Sequence, residues 1–212
     1  MGSADTQCMA DPISIGERDF SNSDITEIIQ DIISQAKLRR VNIWGGPGSG
    51  KSTSASQVFF EMKKRGYSIE YIQEYIKAWA YEKRQLSGFD QLYIFAKQQR
   101  LEERVLKAGV DLIVTDSPLL MQCVYARKYG FMGWQELLSI GKMFNAIHPS
   151  VNFLLSRSHA YQEEGRWQNA EQALELDAEI ESFMTQYEIP FERIVNSDEI
   201  SLRVVDIMKG QQ

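Results

Sequence analysis

A parallel α/β sandwich is the fold class this sequence predicts: about five strands, helices on both faces, and an arginine-bearing lid over one edge. Three observations predict it. Apolar runs of strand length alternate with longer amphipathic runs from residue 40 onward, which is how a parallel sheet with crossover helices reads. Gly45-Gly46-Pro47-Gly48-Ser49-Gly50-Lys51-Ser52-Thr53 is a complete phosphate-binding loop set between a strand-like and a helix-like run, the context such a loop requires. A polar stretch over about 156–169, holding Arg157, Gly165 and Arg166, separates a strand from a helix.

The elements follow in order. Residues 1–22 read as an N-terminal extension without firm structure, and the domain occupies 23–212. Ser23-Asp24 starts a helix whose Ile25, Ile28, Ile29, Ile32 and Ile33 share one apolar face. That face covers one side of the sheet or meets a partner subunit in a homodimer. Arg40–Trp44 is a short buried strand entering Gly45, and Thr53, Ala55, Val58, Phe59 and Met62 give the next run helical spacing. A second strand is expected over 67–73 after the turn at Arg65-Gly66, then helices over 74–84 and 89–107. Gly109 ends the longer helix. Residues 111–115 form a third strand running into Asp116, followed by helices over 119–128 and 134–145. A fourth strand (151–155), the lid, a helix (171–187), a fifth strand (191–195) and a closing helix from Asp198 complete the chain. Right-handed crossovers put the loops after the strands along one sheet edge, and the active site belongs there. The whole reads as a P-loop NTPase three-layer sandwich.

Composition limits the function classes. Across 212 residues, 43% hydrophobic and 25% charged content is that of an ordinary globular domain. A net charge of −6 argues against broad non-specific nucleic-acid binding, while leaving room for a local basic groove. Cys8 and Cys123 offer neither a disulfide framework nor metal-ligand spacing, so reduced thiols in a cytoplasmic protein are expected. No apolar run reaches membrane-spanning length and no secretory signal opens the sequence, so no membrane partner is expected.

The loop dictates the first half of the chemistry. Its glycines let successive N–H groups and the helix N-terminus point at phosphate oxygens, so Gly46, Gly48, Ser49, Gly50, Lys51, Ser52 and Thr53 are the expected nucleotide-binding residues. Lys51 reaches the β- and γ-phosphates, and the Ser52 hydroxyl ligates Mg²⁺. Asp116, at the end of an apolar strand, is the expected second metal-site group, directly or through water; as a bland alternative it caps the next helix, for which Ser117-Pro118 supplies start signals.

Glu74, at the end of the second strand, faces the same crevice and is positioned to take a proton from an attacking hydroxyl. Its bland alternative is a carboxylate at a helix N-terminus. Trp79 and Tyr75 supply a flat surface for a base or ring, or else pack in the core. Gln91, with Tyr93, Gln98 and Gln99 on the same helix, has the hydrogen-bonding capacity to read an acceptor. Arg100, Glu102, Glu103 and Arg104 read as a solvated helix face. Arg157 and Arg166 bring guanidinium groups suited to transferring phosphate, unless the stretch is an ordinary surface loop. His148 and His159 have no metal-ligand spacing.

With these residues in place, the chain resembles the P-loop nucleoside and nucleotide kinases, and within them a phage-type branch similar to nicotinamide riboside kinase domains and deoxynucleoside kinases. Gly45–Thr53, Glu74 with Trp79 five residues on, Val114-Thr115-Asp116-Ser117-Pro118, and Arg157 through Arg166 carry the likeness from residue 41 to about 190. In deoxynucleoside kinases a Glu at the second strand end is the base and the Trp lines the nucleoside pocket; Glu74 and Trp79 match that pair. Those enzymes carry Glu-Arg-Ser where this chain has Asp116-Ser117-Pro118, which leaves the acceptor open. The sequence also resembles phage kinases that phosphorylate 5-hydroxymethyluracil in DNA. The resemblance therefore implies an ATP- and Mg²⁺-dependent kinase with catalytic Lys51, Glu74, Asp116, Arg157 and Arg166. It implies an acceptor that is a free nucleoside or nucleotide, or a base in DNA, and a cytoplasmic location, in a bacterial host if phage-encoded. The alternatives are a P-loop ATPase or GTPase acting as a partner-regulated switch, against which no Asn-Lys-x-Asp motif appears, and a nucleotide-binding module without catalysis.

Overall fold

Five apolar runs become strands: β1 (Arg40–Trp44), β2 (Ile69–Ile72), β3 (Leu112–Thr115), β4 (Ser150–Leu155) and β5 (Glu192–Ile194). The computed structural model describes residues 37–82, 84–157, 168–195 and 198–211. The expected extension, the helix from Ser23, Cys8, His159, Arg166 and most of the expected lid lie outside the described residues. The helices are α1 (Lys51–Lys64), α2 (Lys77–Tyr81), α3 (Asp90–Lys107), α4 (Met121–Lys128), α5 (Trp134–Ile147), α6 (Ala170–Gln186) and α7 (Asp198–Lys209).

The strands pair in parallel in the order β2-β3-β1-β4-β5. β1 and β3 are buried at every position, as expected of strands covered on both faces. Side-chain alternation divides the core in two. Val41, Ile43, Leu112, Val114 and Phe153 pack under α1 and α7, against Val58, Met62, Ile200 and Val204. Trp44, Ile113 and Leu154 point the other way, toward Phe95, Leu120, Leu137, Leu176 and Phe183 on and beside α3 to α6. The sandwich therefore has three layers. Its strand order reverses direction at β1, which opens a crevice beyond the C-terminal ends of the central strands.

The polar residues that β1 and β4 carry into this core find partners there, as burial favours. Asn152 Oδ1 accepts from Asn42 Nδ2 at 2.9 Å and Trp44 Nε1 at 3.0 Å, while its amide donates to the Pro190 carbonyl at 2.9 Å. Arg40, at the start of β1, forms a fully buried ion pair with Glu102 at 2.7 Å. It also donates to Asn145 Oδ1 at 2.6 Å and the His148 carbonyl at 2.9 Å. Glu102 thus departs from the solvated face expected of it: it lies in register with Ile94, Phe95, Gln98 and Leu106 on the buried stripe of α3.

Residues 74–84 also depart from the expected helix, which contracts to Lys77–Tyr81. The Glu74 N–H donates to Asp116 Oδ1 at 3.2 Å instead of entering a helical ladder. The chain is thereby tied to the end of β3 before α2 begins.

His148 gives the fold a pH dependence. Burial, reinforced by the Arg40 and Arg39 cations and opposed by Glu103, holds its imidazole below its ordinary value of 6.5. The folded protein therefore binds fewer protons here than the unfolded chain, so this stability is complete above the unfolded value and is lost as pH falls through the folded one. The melting temperature is expected to drop between about pH 7.5 and about pH 5, and His148→Gln to flatten part of that drop. An unchanged acid slope in thermal melts of the variant would exclude His148 as a source.

Candidate active site

The site is built where β1, β2, β3 and β4 end. β1 delivers the chain into the 45–50 loop, and α1 starts directly at Lys51. Gly50 precedes it at φ 95, a left-handed conformation that L side chains adopt only with strain. That turn aims the first free N–H groups of α1 into the loop, the arrangement that binds anions. Inside the loop, Ser49 N donates to the Gly46 carbonyl at 3.3 Å and Lys51 Nζ to the same carbonyl at 2.8 Å. Ser49 Oγ is buried with no hydrogen-bond partner among the described residues. Thr53 stands exposed in the first turn of α1.

Asp116 is the junction of the site. It is 4% exposed, and both carboxylate oxygens are engaged. Oδ2 accepts from Ser52 Oγ at 2.5 Å and from the Tyr71 hydroxyl at 2.8 Å, while Oδ1 accepts from the Glu74 N–H. Burial first, and then the Asp116 charge, push the Tyr71 phenol well above its ordinary range, so it stays a hydrogen-bond donor. Tyr71 was not anticipated from sequence. Its register opposite Val114, two residues before Asp116, is the signal that finds it once β2 and β3 are known to pair.

The strand end carrying Asp116 is braced from behind. Ser117 N donates to Thr115 Oγ1 at 3.1 Å, Gln98 Nε2 to the same oxygen at 3.3 Å, and Gln122 Nε2 to Ser117 Oγ at 2.7 Å.

Two hard oxygen donors, a Ser hydroxyl and a carboxylate, stand 2.5 Å apart beside the loop. That set fits Mg²⁺, which takes few protein ligands and shares phosphate oxygens. Among the described residues no cluster of three His, Cys, Asp or Glu could form an all-protein metal cage.

Across the crevice, Glu74 is half-buried, and its carboxylate lies in electrostatic reach of two phenols, helping to raise both Tyr71 and Tyr129. Tyr129 is raised first by burial, and its hydroxyl meets Gln168 Nε2, near the end of the expected lid, at 3.5 Å. Trp79 and Tyr93 lie parallel, 6.2 Å between centroids, with Tyr75 edge-on to both and its hydroxyl 2.8 Å from that of Tyr93. The Arg84 guanidinium covers Trp79 at 3.7 Å. Trp79 is therefore part of a half-exposed aromatic wall, not core packing.

Gln91 is 1% exposed, yet neither its amide oxygen nor its nitrogen has a hydrogen-bond partner among the described residues. It lies two helical turns, roughly 10 Å, before Gln98, which reaches the end of β3. Gln91 stands in the first turn of α3, two residues before Tyr93 of the aromatic wall.

On the β4 side, Arg157 follows the strand and turns back to the loop. Its Nη2 donates to the Pro47 carbonyl at 2.9 Å and to Asp177 Oδ2 at 2.8 Å, and its Nε to Asp177 Oδ2 at 3.1 Å. Asp177 Oδ1 accepts from Gly46 N at 2.6 Å. Sequence reasoning missed Asp177. The available signal was a carboxylate sitting in the apolar register of α6, between Ala173 and Ile180, where a helix core position needs a reason to be charged. Cys123 is buried and its thiol is pushed up to about 12, which leaves it unreactive.

A family model described as an AAA domain matches residues 40–200. No curated protein matches the chain. Among solved structures, a NadR protein in complex with NR superposes with a TM-score of 0.65 at 12% identity, covering 81% of this chain and 52% of that one. A NadR protein in complex with NAD and AMP-PNP gives 0.60 at 12% identity, over 81% and 50%. Thymidylate kinase from Ehrlichia chaffeensis gives 0.58 at 10% identity, over 82% and 99%. The chain thus spans about half the length of the two NadR chains. At these identities the likeness is one of fold. No helix among the described residues is long and apolar enough to cross a membrane.

Proposed function

The chain belongs to the AAA-domain family, and on that premise we propose that it is an ATP- and Mg²⁺-dependent kinase that phosphorylates a hydroxyl of a nucleoside-like acceptor. The acceptor is a free nucleoside or nucleotide, or a hydroxymethylated pyrimidine in DNA. The observation that carries the reading is the hydrogen bond from Glu74 N to Asp116. It ties the main chain of residue 74, whose carboxylate suits an acceptor hydroxyl, to Asp116, whose carboxylate suits the metal side of a triphosphate.

In this reading the loop amides from Gly48 through Thr53 and the Lys51 ammonium hold the triphosphate, while the Gly46 N–H stays on Asp177. Ser52 and Asp116 would hold Mg²⁺, which neutralises charge on the β- and γ-oxygens. Glu74 takes the proton of the acceptor hydroxyl as its oxygen bonds to the γ-phosphorus; the bond to the β–γ bridging oxygen breaks and ADP leaves. Arg157 and Arg166 add positive charge against the transferring group. Trp79 supplies a face on which a base stacks in exchange for the Arg84 guanidinium that covers it, and the Gln91 amide, buried without partners among the described residues, supplies a donor and an acceptor for a base edge.

The similarity of fold to a NadR protein in complex with NR and to a thymidylate kinase supports a small nucleoside-like acceptor. The test is incubation with γ-labelled ATP and a panel of free nucleosides, nucleotides and DNA containing 5-hydroxymethyluracil. Label on one acceptor, stoichiometric with ADP formed, is the expected result. Phosphate released at the same rate with no acceptor present would make the protein a hydrolase, the partner-regulated switch, instead.

A further inference from the structure

Asp177 stands outside every role assigned above, yet it joins α6 to the phosphate loop by a direct hydrogen bond. Its two oxygens are divided: Oδ1 takes the Gly46 N–H at 2.6 Å, and Oδ2 takes Arg157 Nη2 at 2.8 Å and Nε at 3.1 Å. Arg157 closes the ring through the Pro47 carbonyl at 2.9 Å. Three consecutive main-chain groups at the loop entrance are therefore held by side chains, two of them from outside the loop. The Gly46 N–H goes to Asp177, the Gly46 carbonyl to Lys51 Nζ, and the Pro47 carbonyl to Arg157. Space is closed as well as bonded: a Cβ at Gly46 would lie 2.4 Å from Asp177 Oδ1 and 3.0 Å from the Ala173 carbonyl.

We propose that Asp177 is a positioning residue of the donor site, setting the loop entrance and aiming Arg157 along it so that the loop receives a triphosphate preformed. The proposal rests on the reading of the loop as a triphosphate site. Its physical basis is a conflict of signs. A carboxylate beside a polyphosphate site opposes binding by Coulomb repulsion, so a carboxylate placed there by chance would weaken nucleotide affinity. Here its charge is matched by Arg157, and both oxygens are spent on charge-assisted or main-chain hydrogen bonds. Those bonds remove freedom from a glycine-rich turn that would otherwise be ordered at the expense of ligand affinity. Removing the carboxylate has opposite consequences in the two cases. A bystander's loss tightens ATP; a positioning residue's loss weakens it.

The test is calorimetric titration of MgATP into the full-length protein and its Asp177→Ala, Asp177→Asn and Arg157→Ala variants, with the unliganded melting temperature recorded for each. Asp177→Ala is expected to weaken ATP by about tenfold or more. Asp177→Asn keeps an oxygen for the Gly46 N–H but loses the ion pair, so it is expected to fall between Asp177→Ala and wild type. The loss from Asp177→Ala is expected to be smaller in the Arg157→Ala background, because part of it passes through Arg157. In turnover, KM for ATP is expected to rise more than kcat falls. Unchanged or tighter ATP binding by Asp177→Ala overturns the proposal, and Asp177→Asn decides the same question if the alanine variant does not fold. Wild-type protein that binds no ATP overturns the triphosphate reading itself, an outcome distinct from wild-type binding that Asp177 does not affect.

Discussion

Asp116→Asn is expected to lower phosphoryl transfer by roughly a hundred- to a thousandfold while leaving the protein folded. The size follows from how both oxygens of Asp116 are used. Oδ2 accepts from two hydroxyls, Ser52 and Tyr71, and Oδ1 accepts from the main-chain N–H of Glu74. An amide of the same shape must turn its NH₂ toward one side. Facing Glu74, it sets donor against donor and releases the end of β2. Facing Ser52 and Tyr71, it forces those hydroxyls to act as acceptors. In either orientation the negative charge is gone, and with it the only carboxylate hydrogen-bonded to Ser52 among the described residues. ATP affinity measured without Mg²⁺ should hardly change, because the loop and Lys51 are untouched. The dependence of rate on Mg²⁺ concentration should shift to much higher values. Wild-type rates at ordinary Mg²⁺ would remove Asp116 from the metal side of the site.

The parts of this site that lie within a few residues of one another were readable in the sequence. The loop from Gly45 to Thr53 declares itself because strand, turn and helix are contiguous, and the turn needs glycine where φ is positive. Asp116 and Glu74 were readable because each ends a strand, and parallel topology brings strand ends together whatever the intervening chain does. The three-layer arrangement followed from the same alternation.

What could not be read depends on pairs distant in sequence. Glu102 looked solvated among Arg100, Glu103 and Arg104, since only Arg40, 62 residues away in sequence at the start of β1, turns it inward. Tyr71 became a partner of Asp116 only through the β2–β3 register. Asp177 needed α6 to pack its Ala173 turn against Gly46. The helix expected over 74–84 shortened for a related reason: local propensity lost to a tertiary hydrogen bond, Glu74 to Asp116. Local rules therefore placed the loop and the strand ends beside it, while the side chains that brace them came from long-range packing.

Glu74→Gln is expected to separate the two halves of the reaction. The bond that ties residue 74 to Asp116 comes from the main-chain N–H, so it survives a change of side chain. The geometry at Ser52, Asp116 and Lys51 should persist, and ATP should bind as it does to wild type. What the substitution removes is the carboxylate proposed to take the acceptor's proton. Gln is nearly isosteric and can still hydrogen-bond a hydroxyl, but it cannot take its proton, so transfer should fall by about a hundred- to ten-thousandfold. The loss should appear in kcat, with KM for ATP unchanged. Acceptor-independent hydrolysis of ATP, if the site catalyses any, should fall much less, because water does not need to be seated against Trp79 and Gln91. Single-turnover transfer from γ-labelled ATP, set beside nucleotide binding, reads both quantities. Full transfer by Glu74→Gln would assign the proton to another group. A parallel loss of ATP binding would mean that the carboxylate serves the donor instead, and the division of the crevice between Glu74 and Asp116 would have to be redrawn.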